Sequence, residues 1–208
     1  MIYDFIFLQM DPKTSKIVAE WFKNKYREID RKMYPLSGIC KKGCDWCCFQ
    51  SVEILNWEEP LILNYISQQL SYSEKSRIRK KLLIWFDYFD ETMQQKKILV
   101  ADEIFVKFQQ QQAVDRIPCP FLYNHECSIY PVRPLCCRMH VNESHPGDCR
   151  ANPLKDSSPQ AEELRKVTLA SIVNRIPTSL HLLNFAIAPL FKLEHRVPVV
   201  EHALLKGI

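Results

Sequence analysis

Nine cysteines stand in this chain of 208 residues, and they are gathered rather than scattered. The first group is Cys40-Lys-Lys-Gly-Cys44-Asp-Trp-Cys47-Cys48; the second is Cys119, Cys127, Cys136-Cys137 and Cys149. A lone buried cysteine is usually a small apolar core residue. Spacings of two and three residues are different, because several thiolates of one turn can then face a single ion or cluster. Gly43 lets that first loop bend. The adjacent pairs add a further constraint. Neighbouring side chains diverge, so Cys47 and Cys48, or Cys136 and Cys137, are easiest to use on different metal ions or on different corners of one cluster. Two such pairs predict a polynuclear site.

Composition sets the surroundings. Hydrophobic residues make up 47% and charged residues 25% of the chain, enough for one substantial core. We therefore expect one domain over 1–208, with a cysteine-cluster core over 40–149 flanked by N- and C-terminal helices. Four glycines, with no G-x-G-x-x-G or G-x-x-x-x-G-K string, exclude the common phosphate loops. A net charge of +4 spread along the sequence indicates neither a nucleic-acid stripe nor a polybasic membrane anchor. The opening MIYDFIFLQM holds Asp4 in a short apolar run and lacks a basic start, unlike a secretory signal. The apolar stretch Leu180 to Phe191 contains His181 and Asn184, is broken by Pro189 and is too short to span a bilayer. The expectation is a cytoplasmic protein whose reduced thiols bind metal or do redox chemistry instead of forming disulfides.

Periodicity predicts a mainly α fold, a single helical domain into which two irregular cysteine-bearing loops are inserted to form a metal centre. Asp11-Pro12 opens an amphipathic helix with Ile17, Val18, Trp21, Phe22, Tyr26, Ile29 and Met33 at three-to-four spacing. Glu58-Glu59-Pro60 opens a second helix, through Leu70. Ser71 with Glu74 reads as a capping box before the stripe Ile78, Leu82, Trp85, Phe86, Phe89 and Met93. Helices are also expected from Ala101 to Val114, from Ser158-Pro159 to about Ile176, and from a Thr178 cap to about Leu193. From Cys119 to about Pro159 prolines and polar residues replace any period, so this backbone must be fixed by something other than a packed stripe.

Four thiolates around a divalent ion, or around a four-iron core of charge two plus, leave a net charge of about minus two, so eight in two sites leave about minus four. Lys41, Lys42, Arg133, Arg138 and Arg150 adjoin the cysteines and can balance it, Arg133 and Arg138 best because apolar residues embed them in the loop. His125, His140 and His145 could replace a thiolate but suit loop positions or outer hydrogen bonding better. Asp45 and Trp46 sit between ligands, and the indole is placed to keep water away.

The strings Cys119-Pro-Phe-Leu and Cys127-Ser-Ile-Tyr130-Pro-Val-Arg133-Pro134-Leu-Cys136-Cys137-Arg138, after Cys40-x3-Cys44-x2-Cys47-Cys48 and before Cys149, resemble a bacterial zinc- or iron-chelating cysteine-cluster family. Flagellin lysine N-methylase is similar and falls in the same group. In that pattern the cysteine before Arg is the expected one, so the resemblance implies eight metal ligands: Cys40, Cys44, Cys47, Cys48, Cys119, Cys127, Cys137 and Cys149. Cys136 is additional. The methylase-like resemblance further implies a four-iron (4Fe-4S) cluster supporting S-adenosylmethionine-linked methylation of a protein substrate. Tyr130, Arg133 and Arg138 are then the candidates for holding a cofactor, with His140 beside them.

Three functions compete. The first is an iron-sulfur protein, redox-active or methylating. Cys40-x3-Cys44-x2-Cys47 has the radical S-adenosylmethionine spacing, but the sequence lacks the alternating strands and helices of the barrel such enzymes use. The second is a structural zinc protein whose helices present an interaction surface. The third is metal storage or delivery through exchangeable thiolates.

Overall fold

The computed structural model describes residues 12–37, 40, 43–94, 97–99, 103–142, 146–152, 155–201 and 204–205. Asp11, Lys41, Lys42, His145 and the opening decapeptide lie outside them, as does the side chain of Arg150.

The mainly helical architecture follows from the apolar stripes. Helix α1 (Pro12–Met33) buries Phe22, Tyr26, Ile29 and Met33, although its predicted stripe begins in water with Ile17 exposed. Helix α2 (Glu59–Gln69) turns in Leu61, Ile62 and Ile66. Helix α3 (Tyr72–Met93) starts at the expected capping box: the Glu74 amide donates to Ser71 Oγ at 3.3 Å, and the Ser71 amide donates to Glu74 Oε2 at 2.8 Å. Its buried face is Ile78, Leu82, Trp85, Phe86, Phe89 and Met93, as the periodicity predicts. Helix α4 (Glu103–Val114) contributes Phe105 and Phe108. Two short helices, α5 (Leu135–Met139) and α6 (Pro146–Ala151), carry Cys136, Cys137 and Cys149. Helix α7 (Pro159–Val173) is capped by Ser158 and stops short of the expected Ile176.

The expected helix from Thr178 to Leu193 is corrected. Its first part is strand β5 (Thr178–Leu182), antiparallel to β1 (Glu53–Leu55), with Glu53 opposite Leu182 and Leu55 opposite Leu180. Only α8 (Leu183–Ile187) and a 3-10 turn over Ala188–Phe191 are helical. The run of leucines satisfies either period, and the partner strand from residue 53 decides. Strand β7 (Leu204–Leu205) extends this sheet, β2 (Lys97–Leu99) pairs in parallel with β6 (Val199–Glu201), and β3 (Leu122–Tyr123) pairs with β4 (Glu126–Cys127).

Two apolar clusters form. One stacks Trp85, Phe86, Phe89, Phe105, Phe108 and Phe185, with Cys119 and Cys127 packed on its edge. The other joins α1 to Trp57, Leu61, Leu135, Met139 and Ile172, with Cys40 on its edge. The cysteine loops therefore border both clusters. No helix among the described residues is long and apolar enough to cross a membrane.

Candidate metal centre

The two loops meet through their backbones. The Cys119 amide donates to the Cys48 carbonyl at 2.7 Å, and the Asn142 amide donates to Cys40 Sγ at 3.2 Å. Gly43 bends the first loop at φ +93°, a conformation that glycine adopts without strain. Between β3 and β4, Asn124 and His125 both take positive φ, 47° and 63°, as a two-residue hairpin turn requires. This turn carries His125 over Asp45, whose Oδ2 lies 2.9 Å from His125 Nδ1. Trp46 lies under the Arg116 guanidinium, 5.2 Å from the ring centroid.

A buried carboxylate fixes the second loop. Glu58 is 1% exposed; its Oε1 accepts from Tyr26 Oη at 2.8 Å and from the Leu135 amide at 2.7 Å, and Oε2 accepts from the Leu55 amide at 2.9 Å. It pins the start of α5 to α1 and β1, and burial raises its pKa. Arg138 closes the far side: Nε donates to the Arg133 carbonyl at 2.8 Å, Nη2 to the Pro131 carbonyl at 2.6 Å, and Nη1 to Asp30 Oδ2 at 2.5 Å. Sequence reasoning missed Glu58 and Asp30, since each looks like an ordinary helix carboxylate.

All nine cysteines are free thiols. They sort by the electrostatic influence they exert on one another, and Cys136, its Sγ 4.0 Å from that of Cys137, acts chiefly on Cys137. Cys40 is close enough to Cys44, Cys47 and Cys149 for each to raise its pKa, and Cys149 in turn feels Cys44 and Cys47. Separately, Cys48 feels Cys119 and Cys137, Cys119 feels Cys127 and Cys137, and Cys127 feels Cys137. Cys47 stands between the sets: Cys48 donates a hydrogen bond to it, which lowers the pKa of Cys47 and raises that of Cys48. The outer set is thus Cys40, Cys44 and Cys149, the inner set Cys48, Cys119, Cys127 and Cys137, with Cys47 felt by both. Burial is the main cause that lifts Cys119 well above its usual value and Cys127 to about 12.

Cations lie where anionic sulfur needs them. Arg133 stacks on Tyr130, 4.4 Å from its ring centroid, and lowers the pKa of Cys47, Cys127 and Cys137. Its Nε is buried without a hydrogen-bond partner. Lys81 of α3 lowers Cys119 and donates to the Leu122 carbonyl; Lys155 lowers Cys149. Neither lysine was singled out from the sequence, because nothing near Lys81 in the chain points to a cysteine some forty residues on. Backbone amides also serve the sulfurs: Trp46 donates to Cys44, Phe121 to Cys119 and Ile129 to Cys127, each two residues on. Such N–H to sulfur bonds stabilise thiolates and orient them toward a metal.

The donor set fits a thiophilic ion: soft sulfur ligands, aimed amides and local cations. Among the described residues no three His, Cys, Asp or Glu side chains stand close enough together to hold an ion. The thiols are gathered into neighbourhoods that an ion would close. His140 is not at a sulfur; its Nδ1 lies 3.3 Å from Ser157 Oγ, and burial lowers its pKa.

A helical frame that brings distant cysteines together as free thiols defines a class, the thiolate metal chelators. The chain belongs to the CxxCxxCC family, described as Putative zinc- or iron-chelating domain, whose model matches residues 39–161, more than half of its length. No curated protein and no solved structure matches it.

Proposed function

We propose that the protein chelates two zinc or iron centres through eight thiolates. The outer centre takes Cys40, Cys44, Cys47 and Cys149; the inner takes Cys48, Cys119, Cys127 and Cys137. The observation that carries this reading is that Cys44 and Cys149 act on Cys40, while Cys48, Cys119, Cys127 and Cys137 act on one another, with Cys47, hydrogen-bonded to Cys48, acting on both groups. Cys47 is the fourth sulfur that the outer centre needs, since the inner group already holds four. Arg133 acts electrostatically on Cys47, Cys127 and Cys137 and would offset part of the charge of about minus four that two such centres leave.

The sharper form of the reading is an iron-sulfur cluster in the inner set. Phe121 and Ile129 are fully buried there, and Cys119 and Cys127 pack on the aromatic cluster, so water is kept from an oxidisable group. An iron-sulfur centre would supply electron transfer or Lewis acidity. Arg133 and Tyr130 would then balance and cover it, while Arg138 holds the loop in shape. Methylation with S-adenosylmethionine rests on the resemblance alone.

Protein isolated without oxygen tests both levels. We expect about two zinc ions per chain in a colourless sample, or iron with acid-labile sulfide in a brown one. A metal-free chain with an unchanged fold would sink the chelation reading.

A further inference from the structure

In strand β1, Glu53 and Leu55 point to the same side, and Leu180 of β5 lies opposite Leu55 on that side. These three residues wall a cavity of about 340 Å³, within the range of roughly 300–1,000 Å³ usual for small-molecule sites. A second wall comes from α7, where Arg165 and Leu169 are one helical turn apart and both line the space. Strand and helix each set a charge near a leucine. Among the described residues the half-buried Glu53 side chain has no hydrogen bond or ion pair; burial raises its pKa, and Arg165 alone acts to lower it. Arg165 is itself held only loosely, by Glu162 Oε1 at 3.5 Å. The other carboxylate of the lining, Glu58, is already served by Tyr26, Leu55 and Leu135. A carboxylate turned to a cavity without a donor is costly until something supplies one.

We propose that this cavity binds a small zwitterion with an apolar side chain, an α-amino acid of the leucine or methionine kind. Its ammonium would lie on Glu53, its carboxylate on Arg165 and its side chain against Leu55, Leu169 and Leu180. Two opposite charges in one lining select a ligand that carries both. An amine alone meets repulsion from Arg165, and an acid alone meets Glu53. The leucines penalise an amino acid whose side chain is charged, since burying that charge against them gains no partner. The site goes beyond the chelation reading and does not rest on it. Cys47, Cys136 and Cys137 share the lining, so a bound ligand would lie beside thiols of both sets.

The test is isothermal titration calorimetry of the full chain with leucine, methionine and phenylalanine, and with isoamylamine and isocaproate, which keep the leucine skeleton and each lack one charge. At least one of the amino acids should bind saturably, one per chain, and the two singly charged probes should bind more weakly by about tenfold or more. Glu53→Gln, which keeps the shape and loses the charge, should weaken the amino acid by about tenfold. Leu169→Trp, which fills the cavity from α7, should abolish binding. Melting curves establish that each variant is folded, and Glu53→Gln decides if Leu169→Trp is not. No saturable binding of any of the three amino acids, equal binding of the amine or the acid, or an unchanged affinity in folded Glu53→Gln would overturn the proposal. A chain without metal that still binds leucine supports the site and counts only against chelation.

Discussion

The outer and inner thiol sets are made from the same residue and sit one peptide bond apart, yet they live in different media. The inner set borders an aromatic cluster, and burial dominates the state of Cys119 and Cys127. The outer set is held by a glycine bend, an amide from Asn142 and the short helix α6, with Lys155 and Asp148 at its rim. A centre built into a core contributes folding energy to that core, whereas a centre at a rim chiefly orders its own loop. The same chemistry therefore has a structural consequence in one place and a local one in the other.

The strongest way to break this contrast is to remove one sulfur from each set. Cys119→Ser should lose the inner ion and destabilise the whole chain by about 3–5 kcal/mol, seen as a large drop in melting temperature. Cys149→Ser should lose one ion but lower the melting temperature by only a few degrees, about 1 kcal/mol. Equal losses would show that the sets are energetically one.

Next in size is the buried carboxylate. Glu58→Gln places an amide donor against a backbone N–H, so about 2–3 kcal/mol of stability should be lost in chemical denaturation. The effect should appear in metal-free and metal-loaded protein alike, which separates frame from centre.

The cations sharpen the contrast further. Arg133→Met should weaken both centres in a competitive metal titration, by about tenfold each. Lys81→Met should weaken only the inner centre and Lys155→Met only the outer, each by less. Crossed effects would contradict the division drawn here.

The smallest effect should lie away from both sets. Lys25 and Lys32 hold the Glu28 carboxyl down at about 2, below its usual 4.5. A lowered acid stabilises above its unfolded pKa and loses that contribution as pH falls from about 4.5 through 2. The pair is partly exposed, so solvent screens it. Glu28→Gln should cost less than about 0.5 kcal/mol at neutral pH and nothing below pH 2, by denaturation of the metal-free chain.

Much of the helical frame was legible because it is written locally. Ser71 and Glu74 announce α3, and its buried stripe follows residue by residue. Spacing pointed to the two cysteine groups, but the adjacent pairs expected to diverge do not: Cys48 donates to Cys47, and the sulfurs of Cys136 and Cys137 lie 4.0 Å apart. What could not be read depends on partners distant in the chain. Whether Thr178–Leu182 is strand or helix is settled by residues 53–55, more than a hundred positions earlier. Lys81 reaches Cys119 across the fold, and Glu58 finds the Leu135 amide 77 residues away. His125 was a candidate ligand by type, but a left-handed turn turns its ring toward Asp45.

The hydrogen bond from the Cys119 amide to the Cys48 carbonyl reaches beyond the inner set. It splices residue 48 to the distant loop by holding the peptide that follows Cys48. The seam between the loops therefore exists before any ion arrives, a stitch of backbone and not of sulfur.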